Sequence, residues 1–222
     1  MKFITGTFAI LKKDLNLELR SRFAINTVIA FVASATLVLF FSLGNTNLTT
    51  ELYSGLLWVI ILFSAMASLS RSFVMETDRQ TFDLLRLNTP GIPVFTGKLL
   101  FNFLFTFAVS LITVLLFALF TGRMIGSGGI IFLILLLGSL GFSSVSTLMA
   151  SLVSRANQKG AIFSVLCIPL LIPFIIVLSD ATRLAANNAE FSRLLEPMSA
   201  IVGFCGVTIT LSVLLFDYVW TD

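Results

Sequence analysis

Histidine is absent from the 222 residues, which removes at one stroke the commonest general base, most metal sites and the usual axial ligand of haem iron. Charge is nearly as scarce: Asp, Glu, Lys and Arg make up 11% of the chain, less than half the roughly 25% of an ordinary soluble domain. Cysteine is limited to Cys167 and Cys205, both inside apolar runs. Thiols there behave as small hydrophobes, and sequence supplies no geometry from which to pair them. The segments between apolar runs are all too short for a soluble domain of ordinary size. These absences exclude a catalytic domain outside the membrane and argue against an enzyme that works alone.

What is present is hydrocarbon: 57% of residues are hydrophobic and the mean hydropathy is +1.04. Six runs, near 25–43, 52–69, 99–121, 130–152, 161–178 and 200–220, each approach the ~20 residues that a helix needs to cross a bilayer. They are continuous and rich in Leu, Ile and Phe, whereas barrel strands would alternate every second residue. Turn or charge signals separate them, such as Gly44-Asn45-Thr46-Asn47, Gly126-Ser127-Gly128-Gly129 and Arg155-Ala156-Asn157-Gln158-Lys159-Gly160. The expected fold is an all-α membrane protein, one permease-like domain over 1–222 with six transmembrane helices.

Basic residues set the orientation. Eleven of the fourteen Lys and Arg fall before the first run, between the second and third, or between the fourth and fifth; only Arg123, Arg183 and Arg193 fall on the other side. Both termini are therefore expected in the cytoplasm. The net charge of +3 reflects this asymmetry, not a nucleic-acid surface. Ala33-Ser34-Ala35 has the form of a signal-peptidase site, but it lies inside the first run with Leu37 to Phe41 still to follow, so that run is expected to remain uncleaved. Asn47-Leu48-Thr49 matches a glycosylation acceptor, a bare tripeptide of no weight here.

The first 22 residues are too charged to span the membrane. Ile4, Phe8, Leu11, Leu15 and Leu19 share one helical face, while Lys13, Asn16 and Arg20 lie opposite. That pattern predicts a helix in the membrane interface with its cations near anionic headgroups; a simple positive-inside anchor fits as well. Between the second and third runs, 73–88 reads as a short helix stopped by Pro90-Gly91. Glu76 with Arg79, and Asp83 with Arg86, are spaced to meet on its surface beside a ridge of Phe82 and Leu85. A docking knob for a cytoplasmic partner and a solvated helix that binds nothing fit this composition equally. Gly91 to Gly97-Lys98 imitates a phosphate loop, but the glycine spacing is wrong and Leu99 stands where Ser or Thr is required. The chain is not expected to bind ATP itself.

No run carries a charge at its centre, Asp217 lying in the last turn of the final one. Proton and ion paths usually show such charges, so the energy for any transport is expected from a partner. Pro169 and Pro173, one turn apart in the fifth run, predict a kink. It can line a path or serve packing. The fourth run is a series of small residues, Gly138, Ser139, Gly141, Ser143, Ser144, Ser146, Thr147, Ala150 and Ser151, suited to close helix approach. One short amphipathic helix, or two, is expected on the outer surface over 180–196, ended by Glu196-Pro197.

Several stretches together resemble the ABC-2 permease superfamily and, within it, the haem exporter protein B family of the cytochrome c maturation (Ccm) system. They are Lys13-Asp14-Leu15-Asn16-Leu17-Glu18-Leu19-Arg20-Ser21-Arg22, Gly55-Leu56-Leu57-Trp58-Val59, Leu69-Ser70-Arg71-Ser72-Phe73, the acidic loop from Glu76 to Pro90, Gly97-Lys98-Leu99, Leu140-Gly141-Phe142, Pro169-Leu170-Leu171-Ile172-Pro173 and Leu215-Phe216-Asp217-Tyr218-Val219. The resemblance covers nearly the whole chain. It implies a bacterial inner-membrane complex with a separate cytoplasmic ABC ATPase that holds the ATP, two copies of each, together with other Ccm membrane subunits and a haem chaperone. Haem is the implied substrate, with no cofactor resident in this chain. By position, Glu76, Asp78, Arg79, Gln80 and Asp83 would dock into the ATPase, supported by Arg155 and Lys159. Trp58, Met66, Pro169 and Pro173 are the residues expected along a path or kink. With no histidine, Met66, Met124, Met149, Tyr53 or Tyr218 could replace it as a haem ligand, though nothing singles one out; haem could instead be held by apolar contact or by histidines of a partner. Three readings follow: a haem-exporting permease, an ABC-2 permease for another lipophilic cargo, and a transmission subunit through which nothing passes while ATP releases a loaded haem chaperone.

Overall fold

The computed structural model describes residues 2–43, 49–69, 73, 76, 81, 85–87, 89–122, 128–154 and 159–221. Seven long helices run through them: α1 (Lys2–Ser21), α2 (Phe23–Leu43), α3 (Thr50–Leu69), α4 (Gly91–Thr121), α5 (Gly128–Val153), α6 (Lys159–Ala186) and α7 (Phe191–Thr221). All but α1 are long and apolar enough to cross a membrane. The protein is thus an all-α, multi-pass membrane protein, as its hydropathy implies.

Helix α5 is the hub and packs against α3, α4, α6 and α7. Lipid tails are as apolar as leucine, so membrane helices associate through close packing and hydrogen bonds rather than hydrophobicity. The small residues of α5 supply both. Gly138 receives the Trp58 ring and Gly141 receives Phe174, each so closely that an added Cβ would collide. Hydroxyls join the helices: Asn102 Nδ2 donates to Thr147 Oγ1 at 2.8 Å, and Ser144 and Thr208 share a bond of 2.8 Å. Phe174 stacks on Phe204 of α7 with ring centroids 4.1 Å apart. Helix α2 touches only one side of the bundle, against α3 and α4, and α1 lies along α4.

Two helix boundaries differ from the sequence expectation. Helix α4 begins at Gly91, not near 99, with Pro90 as its N-cap residue. Lys98 ended the apolar run in the sequence, but this charge is neutralised by acids from other segments and does not interrupt the helix. The outer segment 180–196, expected as one separate helix or two, is divided between the ends of two spans. Its first part continues α6 to Ala186 and its second begins α7 at Phe191, which runs on through Pro197. The chain turns at Asn187 and Asn188, the latter at φ 51°, a left-handed conformation that Asn tolerates. The Ala189 amide closes the end of α6 by donating to the Leu184 carbonyl at 3.0 Å.

The α3–α5 contact sets a clear test. Gly138→Ala should cost about 1–3 kcal/mol by overpacking and lower the thermal midpoint of the purified protein. Gly203→Ala on α7, where an added Cβ meets nothing within 4 Å, should leave the midpoint unchanged or raise it, since Ala favours helix by up to ~1 kcal/mol. Equal melting of both variants would mean that Trp58 does not rest on Gly138.

Candidate functional site

The densest polar chemistry gathers where the loop after α3 meets the start of α4 and the middle of α1. Lys98, the one charged side chain of α4, is 1% exposed. An ammonium there is costly unless paired. Its Nζ donates to Asp14 Oδ2 at 3.1 Å and to Glu76 Oε1 at 3.2 Å. Lys13 reaches the same Glu76 oxygen from α1, and the Thr81 hydroxyl donates to Glu76 Oε2 at 2.7 Å. The Phe73 ring lies beneath Lys98, with Nζ 5.1 Å from its centroid, a cation–π contact. Two ammonium groups thus balance two carboxylates.

Each partner reaches this point for a local reason. Asp14 follows Thr7 and Ile10 on the face of α1 that packs on α4, and all three are buried. Gly97 allows that approach, because a Cβ there would stand 2.7 Å from Ile10 Cβ. Thr7 and Thr96 share a hydroxyl bond of 3.0 Å beside it. The stripe expected on α1 faces elsewhere: Ile4, Phe8, Leu15 and Leu19 are 62%, 61%, 43% and 54% exposed. Helix α1 therefore has three sides, one on the bundle, one apolar and outward, and one polar.

Burial by itself pushes the Glu76 carboxyl up. The Lys98 charge, then the Lys13 and Thr81 hydrogen bonds, together outweigh it and hold the group down at about 2. Between that value and the unfolded 4.5, the unfolded chain binds more protons than the folded one, so stability rises with pH there. The contribution is complete above 4.5 and is lost as the pH falls towards 2.

The expected site residues divide. Glu76, expected to face an ATPase, is 6% exposed, its carboxylate bonded to Lys98 and Thr81. Leu85, half of the expected ridge, packs against the core, whereas Leu87 is 82% exposed. Asp78, Arg79, Gln80, Asp83 and Arg155, as well as Phe82, lie outside the described residues. Lys159 begins α6, and only its backbone is described.

The residues expected along a path do not converge on one. Trp58 is fully buried, donates from Nε1 to Thr182 Oγ1 at 2.9 Å and stacks on Phe142. It packs α3 against α5 and α6. Met66 is 6% exposed within the core. Pro169 and Pro173 occupy the exposed side of α6, which continues unbroken through both. Sequence reasoning passed over the Asp14–Lys98 pair, since 84 residues separate its members. The one available signal was a lone Lys at the mouth of an apolar run, a charge that demands an acid.

Two substitutions test the cluster. Lys98→Met leaves two buried carboxylates without their shared cation and should cost roughly 3–5 kcal/mol, read as a lower thermal midpoint. Adding Asp14→Asn should restore part of the loss. Glu76→Gln should remove a component of the acid sensitivity: its melting point should fall less steeply than the parent's as the pH drops from 4.5 towards 2. Parallel profiles for both proteins would contradict the inward ion pair.

Comparison with known proteins accords with this architecture. The chain is 26% identical over 207 residues to "Heme exporter protein B" of Rhodobacter capsulatus, an alignment covering 91% of this chain and 93% of that protein. It is 27% identical over 206 residues to the protein of the same name from Paracoccus denitrificans, covering 90% of each. With that of Haemophilus influenzae it shares 24% over 195 residues, 87% of this chain and 88% of that one. The family model described as "CcmB protein" matches residues 5–217, from the first turn of α1 to the last turns of α7, and the chain belongs to that family.

Proposed function

We propose that this chain is the membrane permease subunit of an ATP-driven complex that exports haem for cytochrome c maturation. The observation that carries the reading is the alignment with haem exporter B proteins along nearly their whole length. The ATPase is a separate chain, present in two copies beside two permeases, with other maturation subunits and a haem chaperone as neighbours. The distribution of basic residues supports a bacterial inner-membrane location with both termini cytoplasmic. On that reading the Lys98 cluster lies on the cytoplasmic side.

The ATPase docks on the loop that Glu76 anchors. Asp78, Arg79, Gln80 and Asp83 are the groups proposed to contact the ATPase with Glu76, supported by Arg155 and Lys159. Force on the loop then reaches α4 through Lys98 and α1 through Asp14 and Lys13, two helices at once. Reversing the charge of Asp83 together with Arg79 should reduce copurification of the ATPase by about tenfold, some 1.4 kcal/mol, while the melting point stays that of the parent. Unchanged copurification would remove those residues from the contact.

A second reading has its own support. The residues expected along a path are packed or outward-facing, and no histidine is available for haem. The chain would then transmit force that frees a loaded haem chaperone, and no cargo would pass through it. Sealed vesicles holding the complex with its ATPase outward separate the two. ATP-dependent haem in the lumen, abolished by a hydrolysis-dead ATPase, is the exporter's result. Chaperone release without luminal haem is the result of a transmission subunit.

A further inference from the structure

Beside the ion cluster lies a second cluster, made of rings. Phe73, which carries the Lys98 ammonium over one face, also packs against Phe216 of α7, their ring centroids 5.6 Å apart. Phe216 lies 4.9 Å from Phe95 of α4 and 5.5 Å from Trp220, again between centroids. Trp220 in turn fills the hollow over Gly91, where an added Cβ would stand 2.7 Å from the indole. All four rings are buried, Phe73 and Phe95 completely. Such an interior has no slack, because a gap of even ~1 Å forfeits a large part of the contact energy.

The loop after α3 is therefore held on two sides. Glu76 ties it to α1 and α4 by charge, and Phe73, three residues earlier, ties it to the last two turns of α7 by packing. Helix α7 runs unbroken for 31 residues back to Phe191, about 46 Å at the helical rise of ~1.5 Å per residue. Part-way along it is pinned to α5: Thr208 and Ser144 share a bond of 2.8 Å, and Ser212 donates to the Ser144 carbonyl at 3.3 Å. We propose that Phe73 and Phe216 are positioning residues that pass displacement of the loop to α7, which carries it as a tilt about Ser144 to its opposite end, beside Asn187 and Asn188. The loop then drives three helices, α1 and α4 through charge and α7 through rings. The inference rests on the reading that an ATPase acts on this loop.

The full chain, reconstituted with the ATPase, tests this by the distance between spin labels at two exposed sites, Leu52→Cys on α3 and Ser192→Cys on α7. Cys167→Ala and Cys205→Ala remove the native thiols. Trapping ATP should shift that distance by about 2 Å, the scale of helix displacements in switching proteins. Phe73→Ala should abolish the shift, and Phe73→Leu, which refills the space, should restore most of it, while the ATPase copurifies equally with all three. If the alanine variant fails to fold, Phe73→Val, which leaves a smaller gap, should reduce the shift. An undiminished shift in these variants would overturn the proposal. So would movement of a label at Leu87→Cys against Leu52→Cys while Ser192→Cys stays still. Failure of the ATPase to copurify with the labelled parent would count against the function proposed above, and the link is then read on the chain alone. There Glu76→Gln, which loosens the loop, should broaden the distribution between 52 and 192 in the parent and add nothing in Phe73→Ala; equal broadening in both would overturn the link.

Discussion

The buried charge of Lys98 is the constraint on which the cytoplasm-proposed end of this structure depends. An isolated ammonium taken out of water carries a penalty of several kcal/mol even after relaxation. Here it is met by carboxylates from two distant parts of the chain, with Asp14 and Glu76 oxygens at 3.1 and 3.2 Å. Neither acid would be stable in that position alone. Three segments that share no local sequence are thereby fixed at one point: the amphipathic α1, the loop after α3 and the start of α4. Lys13 faces the second carboxylate, so that among the described residues two ammonium groups meet two carboxylates. A network of this kind adds little net stability over a well-packed apolar core. What it supplies is register, because sliding α1 along α4 by a single turn would strand both charges.

From that point inwards the protein is held by a different kind of contact. Along α5, the faces towards α4 and α7 carry glycine and hydroxyl side chains, and the aromatic rings of α3 and α6 fill the hollows at Gly138 and Gly141. Most of these hydroxyls also bond to carbonyls of their own helix, as Ser139 does to Leu135 at 2.7 Å. A hydroxyl so occupied is stable in a dry interior and leaves few unmet polar groups. The bundle is consequently tight at its middle, where Trp58 joins α3, α5 and α6. Displacement of its helices is more naturally a rocking of packed units than an opening between them.

Much of this was legible in the chain. Continuous apolar runs located all six long helices because a bilayer imposes a single length scale. The stripe of α1 was visible as a period of 3.6, and its residues do face outward. The start of α4 lies ahead of its apolar run for a physical reason. A sequence window treats a charged residue as a boundary, whereas the fold neutralises Lys98 with partners 84 and 22 residues away. The same non-local pairing buries Glu76, which composition alone places on the surface of a cytoplasmic loop. For the prolines of α6, composition gives their spacing, but which side of the helix they occupy is decided by neighbours, and these two lie on its exposed side.

The burial of Glu76 bears on how force would travel in the proposed complex. A loop fastened only by its two ends would bend under load and dissipate it. Here Glu76 ties the middle of the connection to Lys98 and Lys13, and Thr81 braces the same carboxylate from its other oxygen. Displacement of the loop must then move α4 and α1 together or break a buried ion pair. Beyond the pair, α1 and α4 separate around an apolar groove lined by Leu15 and Leu19 on one side and Phe101 and Phe105 on the other.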